Sequence, residues 1–513
     1  MADATELRDH KIALGDVAVQ SEYIEQVLHP KHEDDVAFDP RLEIGGSHHK
    51  KHAERRLALK ADLLILPLAA MVFLIAYMDR SNIGNARVAG MEKALHMTDH
   101  QYFICLMMFF VGYCALMLPS NLLIRIVGCN NQIGAACVSF GVCVCCLAAA
   151  PNWQAIAGIR VLIGLTEALI SGLWMYSSIW YKRDEAATRA SIYYSFATMA
   201  GGLTGLIAYG VQKDLNGKSN HSAWQWLYII EGVVGIFVGL VVWALLPPFP
   251  DQIKGRHWLF TEEEINLAVS RSSSYNTPGF RVHPKQVLVA MKDPKTWMFA
   301  IMNGGIGLAV GSIGSFLPTF INEFGYSALR TQLFTIIPYA CATVTMIVLN
   351  TWSDRINKKG VFLMGTLSAA IVGYIILIAV TNNKARIFGT CLIAIGAYPS
   401  VTLFVAWIGN NTGGYTKRST VWAMAEIFAQ GYSIFGTQIY TTPPRFIKGH
   451  SVLLAMTALS LAMVFAVYIL MARSNKRKDQ IILEYEARGE VHPHIHLTLE
   501  DVYDDHIMFR YVL

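Results

Sequence analysis

The amino-acid sequence predicts an all-α polytopic membrane protein of twelve transmembrane helices in two six-helix halves. Three observations carry this expectation. Of 513 residues, 54% are hydrophobic and only 15% are charged, and the mean hydropathy is +0.38; soluble domains carry about 25% charged residues. The apolar residues gather into runs of about 20, the length that a bilayer requires. The basic residues, finally, favour alternate loops between those runs. A soluble enzyme and a disordered chain are excluded by this composition. A net charge of +5 is too weak for a nucleic-acid binder.

The runs are 61–80, 102–125, 132–150, 155–179, 190–211 and 226–247, then 297–320, 332–352, 361–380, 386–408, 419–440 and 451–472. They are continuous rather than alternating, which favours helices over a β-barrel. The first run follows Lys60, and the fourth ends before Lys182 and Arg183. The sixth closes on Leu246-Pro247. Ser353-Asp354-Arg355 follows the eighth run, and Lys358-Lys359 precedes the ninth. The eleventh follows Lys417-Arg418, and the last ends at Arg473. Most of the nine cysteines lie within these runs and read as small apolar residues.

Loop charge sets the orientation. Lys50, Lys51, Arg55, Arg56 and Lys60 share one side with Lys182, Arg183, Arg355, Lys358, Lys359, Lys417, Arg418 and the Arg473–Lys478 cluster. The opposite loops are poorer, as at Lys213 and Lys218, Arg330, Lys384 and Arg386, and Arg445 and Lys448. By the positive-inside rule both termini are expected in the cytosol. The polar first 55 residues show no secretory signal. The expected organisation is a cytosolic tail 1–56, a six-helix bundle 57–247, a cytosolic linker 248–295, a second bundle 296–472 and a cytosolic tail 473–513. Thr261 and Glu264 have capping-box spacing, which predicts a short surface helix in the linker. The tail histidines (His48, His49, His52, His492, His494, His496) lack a carboxylate or cysteine to complete a metal site. No metal or cofactor is called for.

The two halves have matching loops. Pro119-Ser120-Asn121-Leu122-Leu123-Ile124-Arg125 follows the second run, and Trp352-Ser353-Asp354-Arg355-Ile356-Asn357-Lys358-Lys359-Gly360 follows the eighth. The second of these resembles the signature cytoplasmic loop of the major facilitator superfamily. Asp354 and Arg355 are its expected gating residues, whereas the first-half copy lacks the acid, so any latch there is weaker or built differently. Met78-Asp79-Arg80-Ser81-Asn82-Ile83-Gly84-Asn85-Ala86 resembles the end of helix 1 in the anion:cation symporter branch of that superfamily. Arg160-Val161-Leu162-Ile163-Gly164-Leu165-Thr166-Glu167-Ala168 resembles its helix 4. Ser178–Glu185, Trp226–Gly232, Asn410–Arg418 and Phe509–Leu513 are similar to its fungal allantoate and nicotinate permease group. The likeness runs from about residue 57 onward. It implies the major facilitator fold, and transport of small organic anions, vitamins or nitrogen compounds with protons. Thr166 and Leu169 stand where the family usually has Gly, and Gly172 where it usually has Pro, so the helix 4 wall is bulkier and differently bent.

An ionisable group inside a span is costly and marks function by default. Arg160 and Glu167 lie seven apart and share one helix face. Helix 1 brings Asp79 and Arg80 to the same outer half of the bundle. The arginines suit a carboxylate substrate, since the guanidinium fork stays charged at any working pH. Asp79 and Glu167 suit proton coupling, because a carboxyl exchanges its proton as its surroundings change. The resemblance implies the same roles for all four. Alternatives stand beside this reading: Asp79 and Arg80 snorkelling at the surface, and Arg160 and Glu167 as a salt bridge that only ties helices. Glu426 is the clearest charge of the second half. Asn303, Tyr339, Trp407 and Gln430 are expected to contact substrate, with Tyr398 and Gln438 as further candidates; Glu231 reads as a packing or helix-end residue.

The expected activity is secondary active transport of a small organic anion by alternating access with proton symport, in a plasma-membrane monomer. Proton-coupled efflux of a metabolite or drug uses the same groups. A non-transporting nutrient sensor is disfavoured because the carboxylates are present and the tails short. No HExxH, serine triad or GxxxxGK[ST] sequence supports an enzyme or an ATP-driven pump.

Overall fold

The computed structural model describes residues 40–513 apart from 183–184, 254–256, 274–282, 326–327, 437, 441–444, 491 and 498–501. The expectations for the first 39 residues, for Arg183, and for the side chains of His48, His49, Lys50, Lys51, Arg330 and His496, lie outside this description. Among the described residues there are twelve long helices: α1 Pro40–Val88, α2 Asp99–Val127, α3 Cys129–Leu147, α4 Trp153–Trp180, α5 Ala186–Asp214 and α6 Ala223–Leu245, then α7 Pro294–Asn322, α8 Ala328–Ile356, α9 Lys359–Ala379, α10 Asn383–Asn411, α11 Tyr415–Gly436 and α12 Ile447–Ala487. α4 consists of two pieces, Trp153–Ile170 and Leu173–Trp180, joined through Ser171 and Gly172. No strand occurs among the described residues.

Local chemistry sets the helix ends. Thr98 and Gln101 form a capping box at the start of α2, and Asn152 Oδ1 accepts from Ala155 N at 2.9 Å to start α4. In the linker, Glu264 N donates to Thr261 Oγ1 at 3.3 Å and Thr261 N to Glu264 Oε2 at 3.1 Å, opening the helix Glu262–Ser273. Glu264 also accepts from Lys60 Nζ at 2.7 Å, which ties that helix to α1. Partial burial opposes the charge on Glu264, but Lys60 and the Thr261 backbone hold its carboxyl below the usual range.

Ten of the twelve helices satisfy both the length and the hydropathy of a membrane crossing. α5 and α11 do not. Their polarity is absorbed inside the protein: Lys417, Arg418, Thr420 and Gln430 of α11 and Ser191, Ser195, Thr198 and Thr204 of α5 are all buried. Lipid is met by other faces. Leu206, Phe237, Val344 and Phe465 stand exposed on the flanks, where only an apolar solvent suits them.

The helices pair in repeated fashion. α1 packs on α5, α2 on α4 and α3 on α6; six helices later α7 packs on α11, α8 on α10 and α9 on α12. The two sets meet where α2 lies on α11 and α5 on α8. Glycine permits the closest of these approaches: a Cβ on Gly164 would strike the backbone carbonyl of Phe109, and one on Gly112 that of Val161.

The end of the bundle that carries the basic loops is closed. Thr188 of α5 donates from N (2.6 Å) and Oγ1 (2.7 Å) to Asp354 Oδ2 at the end of α8. Tyr415 Oη donates to the Asn121 carbonyl at 3.2 Å, linking α11 to α2. Trp174 and Trp422 lie 5.9 Å apart, and the Thr198 and Thr343 hydroxyls 2.7 Å apart, across the same interface. The chain's last residues dock at this end on the second half. Asp504 bonds Lys417 and Lys295, Lys478 Nζ donates to the carbonyls of Asp504, His506 and Phe509, and the Val512 carbonyl accepts from Trp407 Nε1 at 2.8 Å.

Candidate functional site

The four charges of α1 and α4 meet as two crossed ion pairs. Arg160 Nη1 donates to Asp79 Oδ2 at 2.7 Å, and Arg80 donates to Glu167 Oε1 from Nε at 2.9 Å and Nη2 at 2.5 Å. Each pair joins one residue of α1 to one of α4: Asp79 holds Arg160, and the adjacent Arg80 holds Glu167, which lies about two turns further along α4. Asp79, Arg160 and Glu167 are buried, whereas Arg80 keeps 24% of its side chain exposed. A pair snorkelling at the surface is therefore not what this conformation holds.

Arg80 sits in an aromatic frame. Its guanidinium carbon lies 5.0 Å from the centre of the Tyr77 ring, 5.3 Å from Phe109 and 5.5 Å from Tyr113. The Tyr77 hydroxyl lies 2.7 Å from that of Tyr194. Beneath, toward the basic end, Phe73, Trp174, Tyr193 and Tyr194 pack as one cluster, with Trp422 of the second half against Trp174. These rings form a closed floor under the charges.

The second half faces the site with Glu426, which lies within electrostatic range of Arg80, Tyr77 and Tyr113. Asn303 Nδ2 donates to Glu426 Oε1 at 3.1 Å, and Gln430 Nε2 to Oε2 at 3.2 Å. Two of the expected contact residues thus position this carboxylate. The Tyr339 and Tyr398 rings stand 6.0 Å apart, with the Tyr339 hydroxyl near Gly201 of α5. Gln438 is exposed and approaches the Met107 sulfur at 4.0 Å.

Three sequence expectations need correction. Trp407 is fully buried at the basic end of α10, with its indole N–H on the Val512 carbonyl, so it holds the C-terminal segment and is remote from the charge cluster. Arg355 is exposed; the cation that completes the Asp354 latch is Lys359, whose Nζ donates to Oδ1 at 2.6 Å. Glu231 is no helix-end residue: it is buried beside the cluster, bonded to Asn82 Nδ2 and within electrostatic range of Asp79 and Arg160. Asn82 carries a usable signal, because it lies one helical turn after Asp79 and so shares its face. Nothing local could announce Tyr77, Tyr113 or Thr188. In the first half, the loop after α2 finds its acid elsewhere: Arg125 forks onto Asp251 beyond α6, with Nη1 to Oδ1 at 2.8 Å.

The chemistry available is that of exchangeable charge. Asp79 Oδ1, Glu167 Oε2 and Arg160 Nε and Nη2 are buried without hydrogen-bond partners. No group of His, Cys, Asp and Glu able to hold a metal occurs among the described residues.

Comparisons with known proteins agree with this architecture. Residues 69–437 match the Major Facilitator Superfamily. The chain is 31% identical over 447 residues to the high-affinity nicotinic acid transporter of Saccharomyces cerevisiae, covering 86% of this chain and 82% of that one. It is 30% identical over 436 residues to the MFS-type transporter efuF of Hormonema carpetanum, covering 82% and 86%. The solved proton:xylose symporter XylE is similar in fold, with a TM-score of 0.62 at 12% identity over 78% of this chain and 94% of that one. This chain belongs to the major facilitator superfamily and is a membrane transporter, not an enzyme.

Proposed function

We propose that this transporter carries a small organic anion, a carboxylate, in symport with protons. The observation that carries the reading is the Arg80–Glu167 pair. Arg80 is the one cluster arginine with exposure, it lies among aromatic rings, and its bonds to Glu167 use only Nε and Nη2. A substrate carboxylate and Glu167 compete for the same guanidinium. Protonating Glu167 frees Arg80 for substrate, and bound substrate in turn favours the protonated carboxyl, so the two ligands load together. The surrounding rings suit a flat carboxylate such as nicotinic acid, the compound in the yeast relative's name.

In this reading Asp79 and Glu167 couple protons, Arg80 and Arg160 bind substrate, and Glu426 with Asn303 and Gln430 forms the opposing wall. The basic end faces the cytosol, the bundles are 57–247 and 296–472 around the linker 248–295, and the protein works as a monomer in the plasma membrane. The closed basic end then makes the described conformation cytosol-sealed. The test is uptake of labelled nicotinate and a panel of other carboxylates by purified protein in liposomes, with and without an imposed proton gradient. Uptake rises as the outer medium is acidified and collapses with a protonophore. Accumulation that ignores the gradient overturns proton coupling, and preference for neutral or cationic compounds overturns the anion assignment.

A further inference from the structure

The charges that α1, α4 and α6 bring together include one acid too many. Arg80 and Glu167 balance each other, but Arg160 is bonded to Asp79 of α1 and also lies within electrostatic range of a second carboxylate, Glu231 of α6. All three side chains are at least 95% buried, Asp79 at 0% exposure, Arg160 at 2% and Glu231 at 4%. The neighbours that could balance the charge are few. Tyr228 from α6 and Tyr102 from α2 approach Arg160, and Asn82 from α1 donates its amide to Glu231 Oε2. α3 contributes no charged residue, and the charges of α5 (Arg189, Lys213 and Asp214) stand at its two ends. An apolar interior does not tolerate an unpaired carboxylate. Two oxygens of the trio also lack any partner, Glu231 Oε1 and Asp79 Oδ1.

We propose that Glu231 holds a proton in this conformation and trades it with Asp79, so that Arg160 changes partner from α1 to α6 during the transport cycle. The step balances. The O–H bond at Glu231 Oε1 breaks, an O–H bond forms at Asp79 Oδ1, and the electron pair left on Glu231 becomes the carboxylate that Arg160 now faces. One proton and one unit of each charge stay in the cluster throughout, so neither state buries an unbalanced charge. Asn82 is the positioning residue, because its amide fixes the Glu231 carboxyl in both states. The exchange gives α1, α4 and α6 two alternative arrangements of equal net charge, which is what a two-state transporter needs. Glu231 is thereby a further proton-handling residue, and its role rests on the symport reading above.

The experiment needs no substrate. Infrared spectra of the full chain in lipid vesicles report the carbonyl stretch of a protonated carboxyl. They are recorded at neutral pH in a Glu426→Gln background, so that the acid bonded only to amides does not contribute. The band is present in that background and lost when Glu231→Gln is added. It is lost also when Asp79→Asn is added, although Glu231 remains, because Arg160 then has a single acid and ionises it. Asn82→Leu shifts the band by removing the amide donor, which decides the assignment even where Glu231→Gln fails to fold. Absence of the band from the Glu426→Gln protein, or its survival in Glu231→Gln, overturns the proton on Glu231. Survival in Asp79→Asn overturns the change of partner. Vesicles that show the bands as expected yet carry no carboxylate would refute the symport reading and leave the proton assignment standing.

Discussion

Asp79 and Arg160 hold each other at 2.7 Å across α1 and α4 with both side chains sealed from solvent. Removing one partner of such a pair strands the other, at a cost of about 3–5 kcal/mol. Asp79→Ala and Arg160→Ala are each expected to lower thermal stability by that order, and the double variant by clearly less than their sum. Arg160→Lys keeps one charged donor for Asp79 Oδ2 and falls between wild type and Arg160→Ala. Thermal unfolding of the purified variants in detergent measures this, and additive losses would show that the two groups do not act as a pair.

Glu167→Gln keeps the size and one hydrogen-bond acceptor for Arg80 but removes the exchangeable proton. It should retain substrate exchange between the two sides of a liposome while losing accumulation against a gradient. Counterflow and gradient-driven uptake, compared in the same vesicles, separate the two. Full accumulation by this variant would place the coupling proton elsewhere.

Asp354 accepts from Thr188 of the other half and from Lys359 of its own, so it joins the halves at the closed end. Asp354→Asn weakens that junction in the closed state alone. A loss of about 1–2 kcal/mol shifts the balance of states roughly 5- to 30-fold. Single cysteines at the basic ends of α4 and α10, in a background without native cysteines, should react faster with a thiol reagent in Asp354→Asn. Arg355→Ala, by contrast, leaves the rate unchanged. Equal rates for Asp354→Asn and wild type would reduce the junction to a helix end.

The C-terminal docking turns on Asp504. Burial opposes its charge, yet Lys417 and Lys295 hold the carboxyl well below the usual range. A depressed value means that its contribution is full above the ordinary carboxylate pKa of about 4 and is lost only as pH falls through the depressed value. The tail therefore stays docked through mild acidification. Asp504→Ala removes charge-assisted bonds of about 1.5–3 kcal/mol each, and limited proteolysis should then clip the C-terminus well ahead of wild type. Clipping that is equally fast in wild type at neutral pH would contradict the docked arrangement.

The order of elements was legible because each span must bury its own backbone bonds and clothe them in apolar side chains, a demand written in contiguous sequence. So was the importance of Asp79, Arg80, Arg160 and Glu167, since a charge inside an apolar run has no other excuse. α5 and α11 were legible too, as the apolar runs 190–211 and 419–440, although their helices do not reach the hydropathy of a membrane crossing. What sequence could not supply was partnership. Trp407 reads as a site aromatic from its span, yet it bonds the Val512 carbonyl more than a hundred positions later in the chain. Lys359, not Arg355, closes the latch, because the start of α9 turns Lys359 inward onto Asp354 while the end of α8 leaves Arg355 exposed. Glu231 becomes part of the charge cluster only when α6 packs on α1 and brings its carboxyl to Asn82. Hydropathy is a property of one segment in a solvent and can be summed along the chain; an ion pair is a property of two segments in space. Its existence depends on ångström-scale distances that only the packed helices fix.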